Sequence, residues 1–289
     1  MKLLDGKLIS ELIYNELKND LSKLKIKPGL SVILVGSRKD SLAYVNMKIK
    51  KCRELGINSN IIKYSEHNVT DDILCNKIQE LNKDSSINGI LIQLPLPQHI
   101  NTGKVLSMVS LDKDVDGFHF ENMGRLAVNN KPLFSPCTPS GCIELLNRYN
   151  IDVTGKKVVV IGKSSIVGLP LSLMLLHLDA TVTIVHIKTK NIESETKTAD
   201  ILISACGQAE MINKEWIKKD AIIIDIGINS VEDLTRKRGY KLVGDVNFKD
   251  VKDTVSYITP VPGGVGPMTI AMLMKHTVES FKRINTIQS

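Results

Sequence analysis

The stretch Val158-Val-Val-Ile-Gly162-Lys-Ser-Ser-Ile-Val-Gly168-Leu-Pro170 decides the fold class of this chain. Four consecutive apolar residues are typical of a strand buried on both faces of a parallel sheet. Gly162 lets the backbone turn sharply and approach a ligand closely, and the apolar residues after Pro170 favour a helix packed on the sheet. A strand, a glycine turn and a helix start together form an anion site, because free backbone N–H groups and the helix dipole point at the same place.

We interpret this stretch as the pyrophosphate loop of a Rossmann-type unit. Its pattern is G-x-S-x-x-V-G rather than G-x-G-x-x-G. An ordinary strand-to-helix turn that binds nothing is therefore the alternative interpretation.

Helices and short apolar strands alternate on both sides of this stretch, which is typical of a parallel α/β sheet. We predict strands at 30–35, 57–64, 87–92, 157–161, 181–185, 200–204 and 221–226. We predict helices at 6–24, 40–55, 71–81, 138–149, 169–178 and from Pro267 onward. Thr138 and Pro139 fit the N-cap and the first residue of their helix.

Two proline-rich segments, 131–141 and 259–267, predict hinges between domains. The sequence therefore predicts an α/β protein of two α/β domains. Residues 1–138, completed by a C-terminal helix at 268–289, form the first domain. Residues 139–267 form the second, a Rossmann-type dinucleotide-binding domain.

Composition narrows the classes of protein to consider. The 289 residues are 43% hydrophobic, but no apolar run approaches the roughly 20 residues that span a bilayer. The N-terminus has no apolar signal-peptide segment, so we expect a cytoplasmic protein with no membrane partner. The five cysteines form no C-x-x-C pair and the six histidines show no metal spacing, so we assign no metal.

The formal net charge is +7, which can indicate nucleic acid as a partner. The basic residues are spread along the chain, however, and only 4% of the residues are aromatic. A polyanionic small ligand or a lysine-rich surface explains the charge more simply, so we expect no nucleic acid.

Tyr44 and Lys48 stand at i and i+4 on a predicted helix and therefore share one face. An exposed surface pair is one interpretation. A catalytic pair requires Lys48 to be partly buried, so that its pKa falls from about 10.4 towards neutrality. The same spacing occurs in short-chain dehydrogenases, but there it follows the glycine motif, whereas here it precedes Gly162.

Polar side chains follow the predicted strand 87–92 at the edge where open α/β sheets bind ligands. Gln93 can donate to a carbonyl or hydroxyl group, or it can face solvent as an ordinary loop residue. Asp114 and Asp116 point in similar directions if their segment is extended. The two carboxylates can accept from the N–H groups of an aminopyrimidine edge, bind a divalent ion or simply cap a turn.

Lysines rather than acids surround the predicted cofactor strands. An NAD site usually places an acid about 20 residues after the glycines, to bind the ribose hydroxyl. This chain has Lys163, Lys188 and Lys190 instead, which predicts NADP, with NAD as the alternative cofactor. Surface lysines without a ligand are the simpler alternative. Residues 225–229 end another strand, where a backbone amide can meet the nicotinamide.

Five segments together resemble the bifunctional 5,10-methylenetetrahydrofolate dehydrogenase/5,10-methenyltetrahydrofolate cyclohydrolase family. Each is weak alone, but the resemblance covers nearly the whole chain. The segments are Tyr44-Val-Asn-Met-Lys48, Ile92-Gln-Leu-Pro-Leu96, Lys113-Asp-Val-Asp-Gly117, Gly162-Lys-Ser-Ser-Ile-Val-Gly-Leu-Pro170 and Pro260-Val-Pro-Gly-Gly-Val-Gly-Pro-Met-Thr269.

The resemblance implies two reactions at one site, in a cleft between the two domains. Hydride passes from methylenetetrahydrofolate to NADP, and water then opens the methenyl cation to 10-formyltetrahydrofolate. The family also implies tetrahydrofolate derivatives as partners, a homodimer formed through the cofactor domains, and a place in one-carbon metabolism and purine biosynthesis.

The resemblance also implies site residues. The catalytic set contains a proton-carrying lysine, its glutamine partner, an acid for the pterin edge and a ring against the folate: Lys48, Gln93, Asp116 and Tyr44. The substrate set adds Ile92, Leu94, Pro262, Gly263, Gly264, Val265, Gly266 and Pro267. The last six lie in a loop from Pro262 to Ile270 that closes over the substrate. The cofactor set is Gly162, Lys163, Ser164, Val167, Gly168, Ile187 and Ile228.

Two positions depart from the family's pattern. Lys163 replaces an arginine of many relatives, which keeps the charge but loses the planar fork. Ile187 stands where many relatives have a serine near the 2′-phosphate. Both departures concern the choice between NADP and NAD. A monofunctional dehydrogenase and a catalytically idle dinucleotide-binding protein are the other interpretations, and the presence of Lys48, Gln93 and Asp116 argues against the idle one.

Overall fold

A computed structural model of the chain describes residues 1–236 and 239–287. The last two residues of the predicted C-terminal helix, Gln288 and Ser289, lie outside the described residues. The strands are β1 Lys2–Leu3, β2 Gly29–Val35, β3 Asn58–Tyr64, β4 Gly89–Ile92, β5 Lys157–Ile161, β6 Thr181–Val185, β7 Ile201–Ser204, β8 Ile222–Asp225, β9 Asn229–Glu232, β10 Tyr240–Val243 and β11 Tyr257–Ile258.

The helices follow the strands in the alternation that the sequence predicts. They are α1 Gly6–Ser22, α2 Lys39–Leu55, α3 Asp71–Lys83, α4 Thr102–Ser107, α5 Phe120–Ala127, α6 Cys137–Arg148, α7 Gly168–Leu176, α8 Ile192–Thr196, α9 Phe248–Val251 and α10 Val265–Ile287, with 3₁₀ turns at Leu111–Lys113 and Lys214–Trp216. Within the described ranges, none of these helices has the length and apolar character that a membrane crossing requires.

The chain forms two compact units. Residues 12–137 and the chain from Ile270 form one, which we call the catalytic unit. Met1–Glu11 and Thr138–Thr269 form the other, the cofactor unit. Met1–Glu11 therefore belong to the cofactor unit, whereas the sequence prediction placed them in the first domain. The physical reason is that β1 pairs in parallel with β11, with Lys2 opposite Tyr257, and so extends the sheet of the cofactor unit.

The catalytic unit contains a parallel three-stranded sheet in the order β3-β2-β4. Every residue of β2 is buried, as its position between two strands requires. The apolar face of α3, with Leu74 and Ile78, packs in one core with Ile33 and Ile90 of the sheet. Since the strands are parallel, the segments after their carboxyl ends meet at one edge of the sheet.

The cofactor unit contains a parallel six-stranded sheet in the order β1-β11-β8-β7-β5-β6. The chain leaves β5 towards β6 on one side and returns to β7 on the other side. The carboxyl ends of β5 and β7 therefore form a topological switch point, where such sheets bind ligands. Strands β9 and β10 form a separate antiparallel hairpin.

The α/β prediction is confirmed, and each predicted strand and helix lies within two residues of its observed bounds. Two helices begin slightly earlier than predicted, so their predicted first residues are not the observed ones. Helix α6 begins at Cys137, and the Thr138 hydroxyl lies 3.0 Å from the Thr269 hydroxyl instead of capping the helix. Helix α10 begins at Val265, because a proline is tolerated within the first helical turn and Pro267 need not open it.

Candidate active site

Lys48 is a buried amine in the catalytic unit. It lies on α2 and only 6% of it is exposed, so the interpretation as an exposed surface pair is wrong for this residue. Its Nζ donates to Oε1 of Gln93 over 3.0 Å. The Gln93 amide nitrogen in turn donates to the Leu94 carbonyl over 2.8 Å, which leaves only the amide oxygen for the lysine.

Gln93 is held by the sheet as well. Its backbone N–H donates to the carbonyl of Ile33 in β2 over 2.9 Å, so the residue continues the hydrogen bonding of β4 by one position. Ile92, the preceding residue, is 3% exposed and packs in the core. The Ile92 side chain is therefore unavailable to a ligand, and only its backbone can serve the predicted substrate site.

At this site, burial and neighbouring charges shift the pKa values of the side chains in opposite directions. Burial lowers the pKa of Lys48, and the negative charge of Asp116 opposes that shift. Burial raises the pKa of Asp116, and the charge of Lys48 and the thiol of Cys137 oppose it. An amine whose pKa is lowered can exchange protons nearer neutral pH than an exposed lysine.

Tyr44 lies one helical turn before Lys48, as the spacing predicts. The Lys48 Nζ is 6.0 Å from the centroid of the Tyr44 ring. Burial raises the pKa of the Tyr44 phenol, so the ring remains neutral at physiological pH. The structure therefore brings Tyr44, Lys48 and Gln93 together, with Asp116 as the charged neighbour of the lysine.

Lys113 belongs to segment 113–117, which resembles the family, and its role is to hold the local backbone in place. Its Nζ donates to the backbone carbonyls of Leu81, Asn82 and Asp84 over 2.8–2.9 Å. These carbonyls lie at the C-terminal end of α3, where the last turn of a helix leaves carbonyls without intrahelical partners. Lys113 thus caps α3 and links it to the loop that carries Asp116.

Asp114 and Asp116 have different surroundings. The segment begins with a 3₁₀ turn, so it is not the extended strand in which both carboxylates would share a direction. The Asp114 carboxylate accepts from the backbone N–H groups of Phe118 and His119 and from the Asn122 amide. Asp114 therefore fits the turn interpretation, whereas Asp116 is the neighbour of Lys48.

The predicted substrate loop at 262–270 is shorter in the structure than the resemblance implies. Only Pro262, Gly263 and Gly264 form a turn, because Val265, Gly266 and Pro267 already belong to α10. Gly263 has a φ of 115°, which favours glycine, and its carbonyl accepts from the Lys7 N–H over 2.9 Å. A Cβ on Gly264 would lie 2.7 Å from the Pro260 carbonyl oxygen, so the turn is close-packed.

The two glycines of the cofactor loop permit close backbone packing. A Cβ on Gly162 would lie 2.5 Å from the carbonyl oxygen of Ala205, which follows β7, and Gly162 has a φ of 118°. A Cβ on Gly168 would lie 1.9 Å from the Gly162 carbonyl oxygen. The glycines thus bring the start of α7 against the switch point between β5 and β7.

Ser164 organises the start of α7. Its Oγ accepts from the N–H groups of Val167 and Gly168 over 3.2 and 3.3 Å. Among the described residues, no acceptor pairs with the backbone N–H groups of Lys163, Ser164 and Ser165. These three N–H groups lie in the turn that precedes α7, and they suit the oxygens of a pyrophosphate. The residues present therefore fit a dinucleotide.

Two further predicted cofactor residues lie on exposed loops of the same unit. Ile187 follows β6 and is 85% exposed, in a tight turn where the Thr189 N–H donates to the His186 carbonyl over 2.7 Å. Ile228 follows β8 and is 41% exposed. Both follow carboxyl ends of parallel strands, the edge that carries Gly162.

Sequence reasoning missed Asp245, which organises the loop after β7. Its carboxylate accepts from the backbone N–H groups of Cys206, Gly207 and Gln208 and from the Asn229 side chain. An acid between two strand patterns gives no sequence signal for this role, because its partners are distant in the chain. The bonds hold the loop beside Gly162 in one conformation.

Comparisons with known proteins agree with this geometry. The family model described as tetrahydrofolate dehydrogenase/cyclohydrolase, catalytic domain, matches residues 4–116, and the model for the NAD(P)-binding domain matches residues 136–285. The bifunctional protein FolD 2 of Arabidopsis thaliana is 51% identical over 288 residues, which cover 98% of this chain and 96% of the relative.

Two solved structures are similar along the whole chain. The bifunctional FolD enzyme, methylenetetrahydrofolate dehydrogenase/cyclohydrolase, from Campylobacter jejuni superimposes with a TM-score of 0.93 at 47% identity, covering 98% of this chain and 99% of that one. The FolD of Trypanosoma brucei, solved with NADP and an inhibitor, has a TM-score of 0.93 at 39% identity, covering 99% and 98%. The chain belongs to the tetrahydrofolate dehydrogenase/cyclohydrolase family.

Proposed function

We propose that this chain oxidises 5,10-methylenetetrahydrofolate to 5,10-methenyltetrahydrofolate with NADP and then hydrolyses the methenyl group to give 10-formyltetrahydrofolate. The observation that carries the proposal is the buried Lys48 amine, which donates to Gln93 and whose lowered pKa is opposed by the charge of Asp116. A catalytically idle protein has no need to bury an amine at the edge of a sheet, since burying a charged group costs free energy.

Substrate binding begins with Asp116. A carboxylate accepts two parallel N–H donors, which matches the aminopyrimidine edge of the pterin. The Tyr44 ring lies beside Lys48 and offers an apolar face to the folate. The backbone of Ile92 and the loop residue Leu94 complete this side of the site. Together these groups orient the one-carbon bridge relative to the Lys48 amine.

NADP, when bound, accepts hydride from the carbon of the one-carbon bridge. The chain's own contribution is to hold the pyrophosphate with the N–H groups of residues 163–165 and the start of α7. The loss of hydride leaves a methenyl cation, whose positive charge is spread over N5, the bridge carbon and N10. Asp116 is the acid that fixes the pterin during this step.

Hydrolysis requires a proton to move twice. The neutral Lys48 amine accepts a proton from water as the water oxygen bonds to the bridge carbon. The resulting ammonium donates that proton to N5 as the bond between N5 and the carbon breaks. The proton left on the added oxygen is released to solvent as the C=O bond forms, which leaves the formyl group on N10. Gln93 accepts from Lys48 and so orients the amine, because its own amide nitrogen is tied to Leu94.

NADP is the proposed cofactor in preference to NAD. Lys163 is exposed on the glycine turn, and Lys188 follows the exposed Ile187. Positive charge at these positions suits a 2′-phosphate, and the related FolD of Trypanosoma brucei was solved with NADP. Ile187 offers no hydroxyl to that phosphate, so lysines supply the recognition in this proposal.

A homodimer through the cofactor unit is also part of the proposal. Strand β6 is the outer strand of the six-stranded sheet, and outer strands and apolar patches are common sites of association. Four large apolar side chains on or beside β6 and α7 are exposed: Leu169, Leu176, Leu178 and Ile184. We expect Leu176→Lys to yield monomers in light-scattering measurements, and an unchanged mass would refute this interface.

We also propose a cytoplasmic protein of one-carbon metabolism that serves purine biosynthesis and binds neither nucleic acid nor membranes. The absence of a clustered basic patch with aromatic side chains in the sequence supports the part on nucleic acid.

The test of the proposed function is an absorbance assay with methylenetetrahydrofolate and each nicotinamide cofactor. We expect NADP to be reduced, with the methenyl compound forming and then decaying to the 10-formyl product. Accumulation of the methenyl compound without decay beyond the spontaneous rate would indicate a monofunctional dehydrogenase. No reduction of either cofactor would refute the proposal.

A further inference from the structure

Two neighbouring loops follow strands of the cofactor unit at the edge that carries Gly162. Strands β8, β7 and β5 are adjacent in the six-stranded sheet, so the loops after their carboxyl ends lie side by side. We call residues 205–208 the β7 loop and residues 226–228 the β8 loop. The β7 loop lies against Gly162, where an added Cβ would be 2.5 Å from the Ala205 carbonyl oxygen, and the β8 loop carries Ile228.

The Asp245 carboxylate binds groups from both sides of this edge. Asp245 is fully buried. Donors from the end of β7 and from the β7 loop lie 2.9–3.2 Å from its oxygens: the Ser204 hydroxyl and the N–H groups of Cys206, Gly207 and Gln208. Asn229, which follows the β8 loop, donates from Nδ2 to Oδ1 of Asp245 over 2.9 Å. The Asn229 side chain therefore links the β8 loop to the group that holds the β7 loop.

The backbone packs closely where this link is made. Asn229 pairs with Val243 at the open end of the β9–β10 hairpin, two residues before Asp245. A Cβ on Gly227 would lie 2.1 Å from Oδ1 of Asp245. The Gly227 N–H donates to Oδ1 of Asp225 over 3.0 Å, and the Asp245 N–H donates to the same oxygen over 3.1 Å. The β8 loop thus passes directly beside the Asp245 carboxylate.

The bond between Asn229 and Asp245 has a definite polarity. A carboxylate can only accept, so the nitrogen of the Asn229 amide faces it. Hydrogen bonds to a charged group are stronger than those between neutral groups. Without this bond the β8 loop loses a tie to the β7 loop. A ligand that lies across both loops must then select their mutual arrangement from a wider set, which raises its dissociation constant.

We propose that Asn229 is a positioning residue for NADP binding, which ties the β8 loop to the β7 loop through the Asp245 carboxylate. The inference rests on the proposed function, in which NADP lies along this edge with its pyrophosphate at residues 163–165 and with Ile228 among its contacts. Asn229 needs no contact of its own with the cofactor, because it acts through the loop that precedes it.

Calorimetric titration of the full chain with NADP tests the proposal directly. Asn229→Ala removes the donor, and we expect the dissociation constant of NADP to rise about tenfold, the order of one hydrogen bond to a charged group. The KM for NADP should rise in parallel. Hydrolysis of purified methenyltetrahydrofolate consumes no NADP and should keep the parental rate. An unchanged dissociation constant, or a hydrolysis rate that falls equally, would overturn the proposal.

Asn229→Asp separates the hydrogen bond from packing, since the two side chains have nearly the same shape. At high pH two carboxylates repel each other, so we expect weaker NADP binding than in Asn229→Ala. As the pH falls, the new carboxyl group takes up a proton, donates to Asp245 and brings the dissociation constant back towards the parental value. Parental affinity of Asn229→Asp at every pH would mean that shape alone matters, and would overturn the proposal.

Other titratable groups also face the Asp245 carboxylate, namely Asp225 from β8 and the Cys206 thiol from the β7 loop. The parent and the variants share both groups, and they share the 2′-phosphate of the ligand. The ratio of variant to parental dissociation constants at each pH therefore isolates the titration of the new carboxyl group. A ratio for Asn229→Asp that stays constant with pH would overturn the proposal.

Asn213→Ala is the matched control for a loss of stability. Asn213 belongs to the same compact unit, and its side chain accepts from the Glu215 N–H over 2.9 Å at the start of a 3₁₀ turn. We expect this variant to bind NADP as the parent does, and an affinity loss equal to that of Asn229→Ala would overturn the proposal. A parent protein that binds NADP but oxidises no folate would refute the proposed function alone, and the calorimetry would still test Asn229. A parent that binds no NADP would overturn both.

Discussion

Replacing Lys48 by methionine removes the amine and keeps an unbranched chain in its buried position. Removal of a general acid–base group lowers a rate by about 10²- to 10⁴-fold, and in the proposed hydrolysis the amine first accepts and then donates a proton. We therefore expect cyclohydrolase turnover to fall at least about 100-fold. The KM for NADP should not change, because the residues that we propose to hold the cofactor belong to the other compact unit.

The assay follows the decay of purified methenyltetrahydrofolate at constant pH, after subtraction of the spontaneous rate. Lys50→Met is the matched control, since Lys50 lies on the same helix with its side chain 77% exposed and paired only loosely with Glu54. We expect parental rates from this control. A Lys48→Met protein that hydrolyses methenyltetrahydrofolate at the parental rate would refute the proton-carrier role.

The pH dependence has a definite sign. Burial lowers the pKa of Lys48, so the hydrolysis rate of the parent falls as the pH drops through that lowered pKa. In the unfolded chain Lys48 titrates near 10.4, so between the two values the unfolded state binds more protons. The free energy of unfolding therefore rises with pH over that window, and Lys48→Met should lose this slope in urea titrations.

Three further predictions follow from the same geometry. Asp116→Asn should raise the KM for methylenetetrahydrofolate about tenfold or more, since it removes charge-assisted hydrogen bonds, and an unchanged KM in steady-state assays would refute the pterin contact. Gly162→Ala should lower the free energy of unfolding in urea by about 1–3 kcal/mol, through backbone strain and contact with Ala205. Gly155 also has a positive φ but has open space around it, so Gly155→Ala should lower the free energy of unfolding by less. Equal losses in the two variants would refute the steric argument. Lys163→Gln should raise the KM for NADP about tenfold and leave that for NAD unchanged, and parallel changes would refute recognition of the 2′-phosphate.

Segment 113–117 shows how one motif serves several purposes. Lys113 caps α3 and Asp114 binds the backbone at the start of α5, so both hold the loop in place. Asp116 is then the acid that faces Lys48. From the residue pattern alone the two acids are equivalent, and only the family resemblance singled out Asp116. Their difference depends on the turn between them, which local propensity does not predict.

The contacts of His276 and Asp245 are likewise not predictable from local sequence. Neither stands in a recognisable motif, and each acts on groups that are far away in the chain. His276 contacts Val115 and Asp245 contacts the loop after β7. Buried hydrogen-bond networks of this kind depend on which segments pack together, so their members are found only after folding.

The sequence by itself determined the α/β class, the bounds of the main strands and helices to within two residues, and the glycine turn after β5. Hydrophobic periodicity and glycine chemistry are local properties, which is why they can be read along the chain. The tertiary structure decided that Lys48 is buried, that Gln93 offers it an oxygen, that the first residues join the cofactor unit, and that the loop before α10 is short. Burial, strand partners and pKa shifts arise from contacts between distant segments, and these exist only once the chain has folded.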